Sequence, residues 1–258
     1  MKVWAITYNT FREAIRNRIL YNLLAFAVLL IGLSVVLGRL SIAERERITL
    51  DVGLSAISVF GVLMSIFLGI TLISKEIEGK TIHTLVAKPV QRWVFVVGRY
   101  LGLMLTILIN IAIMSAAFGV VMWYITAGES WPFSWPVVQA IILIFVELGI
   151  ITAVALVFST FSTPILSAIF TLSFFVIGRL TAGIKQFGEN AESAFYQYGA
   201  DFLYYAVPNL TNYVRIESAL YGEGLPPLLF LKILLIGALT SFFFIVIAIS
   251  IFQRRDFV

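Results

Sequence analysis

The chain has 258 residues, 60% of them hydrophobic and only 12% charged, with a mean hydropathy of +1.01. A soluble domain carries about 25% charged residues, so the composition excludes an ordinary water-soluble globule and describes a polytopic membrane protein. The absence of cysteine and the single histidine, His83, exclude a disulfide frame, a thiol nucleophile and a His-based metal centre, and a net charge of +4 gives no basis for a nucleic-acid partner.

Ahead of the first apolar run, Trp4, Tyr8, Phe11, Ile15 and Ile19 recur at helical spacing, with Arg12, Arg16 and Asn17 on the other face. Residues 1–18 are therefore expected to form an amphipathic helix in the membrane interface, its cations toward anionic lipid. A basic flank that merely orients the first span is the competing reading. No small-residue cleavage pattern follows, so the first run is expected to be retained as a signal anchor.

Six spans are expected, at Ile19–Gly38, Val52–Ser74, Val94–Thr126, Val137–Thr160, Pro164–Gly183 and Leu228–Phe252. Each should be helical, because backbone polar groups must be satisfied where water is missing. The third is too long to be buried throughout, which places Arg99 at head-group level. Charged residues around Arg39–Asp51, a Trp/Pro-rich link at Glu129–Pro136 and a short turn at Ser162–Thr163 separate the spans. With the N-terminus inside, the inner segments hold Lys2, Arg12, Arg16, Arg18, Lys75, Lys80, Lys88, Arg92, Arg99, Arg254 and Arg255. The outer segments hold Arg39, Arg45, Arg47, Lys185 and Arg215, with Arg179 and Lys232 near outer span ends. This bias puts both termini in the cytoplasm.

Between the second and third spans stands SKEIEGKTIHTLVAKPVQRW (Ser74–Trp93), a compact charged insert in an apolar chain. It must lie in water or against another protein, held between two spans at fixed separation. Its apolar positions Ile77, Ile82, Leu85 and Val86 favour docking over a plain solvated loop. Gly79-Lys80-Thr81 has the end of a phosphate-binding loop, but Ser74 stands where the leading glycine is required and a membrane span replaces the strand. Nucleotide binding by this chain is excluded on that ground.

Gly98 and Gly102 form a G-x-x-x-G pattern and Ser115 with Gly119 a small-xxx-small pair, both signs of close helix packing. Glu147 falls near mid-membrane in the fourth span, where an ionised acid costs at least about 2.5–3.5 kcal/mol. Two readings stand: a polar contact or proton site in a translocation path, or a packing residue hydrogen-bonded to Asn110, Thr106 or Ser115 of the third span. Arg179 is expected to snorkel outward. No G-x-S-x-G or H-E-x-x-H occurs, against an intramembrane hydrolase. Residues 184–227 carry six of the ten tyrosines, and ADFLYYAVPNL is too short to span. A re-entrant or surface-lying hairpin is preferred there over an aromatic belt on an ordinary loop.

KEIEGKTIHTLVAKPVQRWVFVVGRYLG (Lys75–Gly102) resembles the segment after the second span of ABC type-2 transporter permeases. The likeness rests on Glu76 and Glu78, Gly79-Lys80-Thr81, Leu85, the Pro89 to Arg92 corner and Gly98-Arg99-Tyr100-Leu101, with Lys80 a departure from the usual Gly-Thr pair. The ending Phe252-Gln-Arg-Arg-Asp-Phe is similar to that family's C-terminal motif. YYAVPNLTNY is similar to the subgroup of the nitrous-oxide-reductase maturation permease. The resemblance implies one all-α permease domain over 1–258 in a bacterial or archaeal plasma (inner) membrane. It further implies a second permease chain (a homodimer) and two ABC ATPase subunits, which carry the ATP and Mg. Room remains for a periplasmic or extracellular accessory protein. Residues 75–93 would be the cytoplasmic coupling helix, with Glu76, Glu78, Lys88, Pro89 and Arg92 contacting the ATPase. Glu147 and Asn110 would serve the translocation path or helix packing. The expected function is ATP-driven export. An ion-coupled secondary transporter using Glu147, or a membrane scaffold that moves nothing, are the alternatives; stimulation of a partner's ATP hydrolysis separates them.

Overall fold

A helix apolar on every side belongs inside a bundle, and one apolar on a single stripe belongs at its edge. The computed structural model describes residues 2–39, 44–78, 91–128, 133–189, 194–214 and 216–254, without the side chains of 39, 71–78, 182, 194–195, 205–206 and 217–218. Among these the chain forms nine α-helices and one 3-10 turn. They are α1 (Lys2–Ile15), α2 (Arg18–Arg39), α3 (Arg45–Glu78), α4 (Arg92–Ile125), α5 (Trp135–Phe161) and α6 (Pro164–Glu189). The chain continues through α7 (Ala194–Ala206), the 3-10 turn (Leu210–Tyr213), α8 (Ile216–Leu220) and α9 (Pro227–Arg254). Helices α2, α3, α4, α5, α6 and α9 are long and apolar enough to cross a membrane, and they follow the six expected spans in order.

The most apolar stretches of α3 and α5 are each 72% buried, against 22% for α2 and α6 and 28% for α9. The bundle is therefore built around α3 and α5. Ile150, Ile151, Ala153, Val154, Ala155 and Leu156 of α5 are all buried, on every side of the helix. Leu54, Ile57 and Met64 of α3 pack with Leu103, Ile107 and Phe118 of α4 and Ile144, Leu148 and Ile151 of α5. A second cluster joins Leu143, Ile150 and Val154 of α5 to Ile233 of α9 and to Leu210 and Tyr213 of the 3-10 turn.

Two helices outrun their expected ends. Helix α3 begins at Arg45, where Glu46 in the first turn complements the positive helix end and Arg47 pairs with Glu44 at 3.3 Å. Its 34 residues reach about 51 Å, well beyond a hydrocarbon core of about 30 Å. Helix α6 continues to Glu189, with Lys185 and Glu189 4.0 Å apart on its last turns. Polar residues need not end a helix that has already left the apolar zone.

Alternate crossing of six spans brings both chain ends to one face of the bundle, called here the terminal face. Arg92 at the start of α4 donates to the carbonyls of Phe252 and Gln253 at 3.2 and 2.6 Å. These carbonyls lie in the last described turn of α9, so one guanidinium ties the start of α4 to it. Phe95 stacks on Phe252 at 5.6 Å, sealing the same junction. The opposite, distal face carries the starts of α3, α5 and α9.

Helix α1 uses three faces. Thr7, Thr10 and Ala14 are buried, and they pack along α4 at the G-x-x-x-G pair. A Cβ on Gly98 would stand 2.8 Å from Cβ of Ile6, and one on Gly102 2.7 Å from the carbonyl oxygen of Thr7. Thr7 donates to the Gly98 carbonyl at 3.3 Å. Trp4 and Tyr8 remain exposed on the second face, and Arg12 and Arg16 on the third. The expectation for Arg99 needs correction. Its side chain is 2% exposed and donates to Glu13 of α1 at 3.1 Å, with the Phe95 ring 5.4 Å away. The covering helix, and not the head-group layer, receives this cation.

Replacing Gly102 by Val should strip α1 from α4, because the clash at that site is with backbone and no rotamer change relieves it. Overpacking of this kind costs about 1–3 kcal/mol. A lowered thermal unfolding midpoint of the purified chain, with Gly183→Val (open space around the glycine) as the matched control, would measure it.

Candidate functional site

The single acid of α5, Glu147, lies twelve residues from Trp135 and is fully buried, about 18 Å along the helix. The side chain opposite is Arg179 of α6. Its Nη2 donates to Glu147 Oε2 at 3.1 Å and to Ser58 Oγ of α3 at 2.9 Å. Nε lies 2.8 Å from Oε1, a charge contact too bent for a hydrogen bond. The guanidinium stands over Phe175 at 5.3 Å. An unpaired carboxylate at this depth would cost several kcal/mol; the fork of the guanidinium answers both oxygens at once.

Arg179 therefore does not snorkel outward as expected. It reaches inward, because a buried anion within range offers more than the head-group layer. The packing partners expected for Glu147 also differ. Asn110 donates to the Thr106 carbonyl within α4 at 2.8 Å, and Thr106 to Gly102 at 2.9 Å, so these polar groups are satisfied by their own helix. Ser115 makes no bond to Glu147 among the described residues, and Gly119 makes room for the Phe133 ring, 2.7 Å from where its Cβ would stand.

The segment between α7 and α8 completes the site from the distal side. Pro208 and Asn209 turn the chain, with the Asn209 side chain accepting from the Thr211 amide at 3.0 Å. Leu210 settles on Gly178 of α6, and Tyr213 on Gly237 of α9 beside Val146 of α5. Gly237 lies ten residues from Pro227, so the turn reaches about 15 Å down α9. Thr211 also donates to the carbonyl of Arg179 at 2.9 Å. Three separate parts of the chain, α3, α5 and the turn, thus converge on one arginine of α6.

Between α3, α6 and this turn lies a cavity of about 620 Å³, lined by Asp51, Ser55, Ser58, Arg179, Thr211 and Asn212 together with Val59, Phe175, Val214 and Ile216. Asp51 is exposed, Ser55 half-buried and Ser58 buried. That gradient marks a mouth at Asp51 and a floor at Arg179. Among the described residues no cluster of His, Cys, Asp or Glu is arranged to hold a metal ion.

At the terminal face, the backbone of α3 carries Glu76 and Glu78 past the apolar stretch that ends at Ile70. The side chains of Glu76 and Glu78, and Lys88 and Pro89 altogether, lie outside the described residues. Arg92 is described, and two of its bonds hold the end of α9.

Residues 4–257 match the family described as "ABC-2 family transporter protein". No curated protein matches the chain.

Removing one partner of a buried pair leaves an uncompensated charge and costs about 3–5 kcal/mol. Glu147→Gln and Arg179→Gln should each lower the thermal midpoint strongly. The double variant should lose clearly less than the two single losses added together. A double-mutant cycle on the purified chain measures this coupling.

Proposed function

The chain belongs to the ABC-2 transporter family and is an ABC transporter permease; from that premise we propose that it is the transmembrane half of an ATP-driven exporter. Two copies pair with each other and with two ABC ATPase subunits, which bind ATP and Mg. The observation that carries this reading is the pair of 34-residue helices α3 and α4. Both exceed the bilayer core, and together they bracket the charged insert on the terminal face. Two stiff rods are the mechanical form a coupling element needs.

Closure of the ATPase dimer draws the two inserts together, and α3 and α4 turn as a unit. Their shared core with α5 carries that displacement to the Glu147–Arg179 pair. Arg92 transmits part of it directly to α9. Such a change requires contacts that differ between the ATP-bound and empty states, which is the role assigned to Glu76, Glu78, Lys88 and Pro89. Pro89 disfavours helix at Lys88 and sets the bend that re-enters the membrane. The secondary-transporter alternative is disfavoured by geometry, because Glu147 is already matched by a cation of its own chain.

Co-expression with an ABC ATPase from the same genome, followed by cross-linking from Lys88→Cys, should capture that ATPase. Glu78→Lys should leave insertion and folding intact while reducing permease-stimulated ATP hydrolysis at least severalfold. Normal stimulation in Glu78→Lys, or a cross-link that reaches no ATPase, overturns the assignment of the coupling contacts.

A further inference from the structure

The cavity of about 620 Å³ has a polarity that the permease role does not require. Asp51, Ser55 and Ser58 recur at spacings of four and three, so they form one polar stripe along α3 facing the cavity. Seven residues separate its ends, about 10 Å of helix. At the mouth, Asp51 is exposed, receives a bond from Ser55 at 3.5 Å and has no cationic partner among the described residues. At the floor, Arg179 spends Nη2 on Glu147 and Ser58, and its side chain stays 24% exposed. Its Nη1 donors make no bond among the described residues, and they are what the guanidinium has left to offer. The stripe thus ends in a carboxylate at the entrance and a hydrogen-bonding cation at the bottom. Asn212 and Thr211 lie between them on one wall, with Phe175, Val59, Val214 and Ile216 as apolar surface. A cavity of this size with polar groups converging beside apolar walls is a common form of small-molecule site.

We propose that this cavity binds a dipolar solute, carrying an ammonium group at Asp51 and an anionic group at Arg179, whose 2.9 Å bond to Ser58 sets it at the inner end of the stripe, about 10 Å of helix rise from Asp51. The ammonium group pairs with the Asp51 carboxylate, whose bonded neighbour among the described residues is the Ser55 hydroxyl. The anionic group takes the Nη1 donors without displacing Glu147, which keeps the buried pair neutral. A free amino acid is too short to meet both ends. An extended chain spans about 3.3–3.6 Å per residue, so three residues fit the separation and Asn212 is placed to meet a backbone amide. This inference rests on the permease reading only for its meaning as a substrate contact; the binding itself needs no ATPase.

The test uses the full chain in lipid nanodiscs, without any ATPase, and measures equilibrium binding of triglycine. Glycine, N-acetyl-triglycine and triglycine amide serve as comparisons. Triglycine should bind at least tenfold more tightly than each of the three. Asp51→Asn sits at the exposed mouth and should fold normally. It should erase the preference for triglycine over its acetylated form while keeping the preference over the amide. Absence of triglycine binding to the folded chain overturns the proposal, as does equal binding of the blocked forms, or unchanged discrimination by Asp51→Asn. Because no ATPase is present, failure of triglycine binding leaves the permease reading standing.

Discussion

A carboxylate placed inside the most deeply buried helix of a membrane bundle must be neutralised, and most of this architecture follows from how that is done. Glu147 stands on α5, whose central turns are buried on every side. Water cannot reach it and its own helix has no donor to spare. Arg179 supplies the charge, Ser58 fixes the guanidinium from α3, and Thr211 fixes the backbone behind it. One ion pair therefore specifies the relative placement of α3, α5, α6 and the 3-10 turn. Packing alone would specify it poorly, since lipid competes with apolar side chains on equal terms.

The terminal face uses cations differently. Arg92 and Arg99, two turns apart on α4, both turn toward the protein, one to the end of α9 and the other to α1. Helix α4 thereby ties the first and last helices of the chain to the same rod. Displacement applied at the charged insert reaches both chain ends as well as the core. That coupling is geometric, and it follows from side chains that a count of basic residues would assign to solvent or lipid head groups.

The number, order and type of the spans were legible because a 20-residue apolar run in lipid has only one common solution, the helix. The G-x-x-x-G pair was legible as a close contact, though not its partner, because small residues announce proximity without naming what approaches. The Arg179–Glu147 pair was missed, yet its signal was present. The turn at Ser162–Thr163 is so short that α5 and α6 must run antiparallel in register. Glu147 is fourteen residues before Phe161 and Arg179 fifteen after Pro164, which places them at one depth. Distance from the span end favours snorkelling for Arg179, whereas distance from the turn sets it level with Glu147. The early start of α3 was hidden for a different reason: charged residues mark the edge of the apolar zone, not the edge of a helix.

The seat of α1 has a consequence for how the protein is made. Thr7 is bonded to the carbonyl of Gly98, a residue the ribosome adds 91 positions later. At about 5–20 residues per second, several seconds or more pass between the birth of the two partners. Throughout that interval the main seat of the first helix, on α4, does not yet exist. Its aromatic side, bearing Trp4 and Tyr8, gives the nascent chain a mooring on the lipid surface until α4 arrives. A face with no contact in the finished bundle thus has its use during biogenesis.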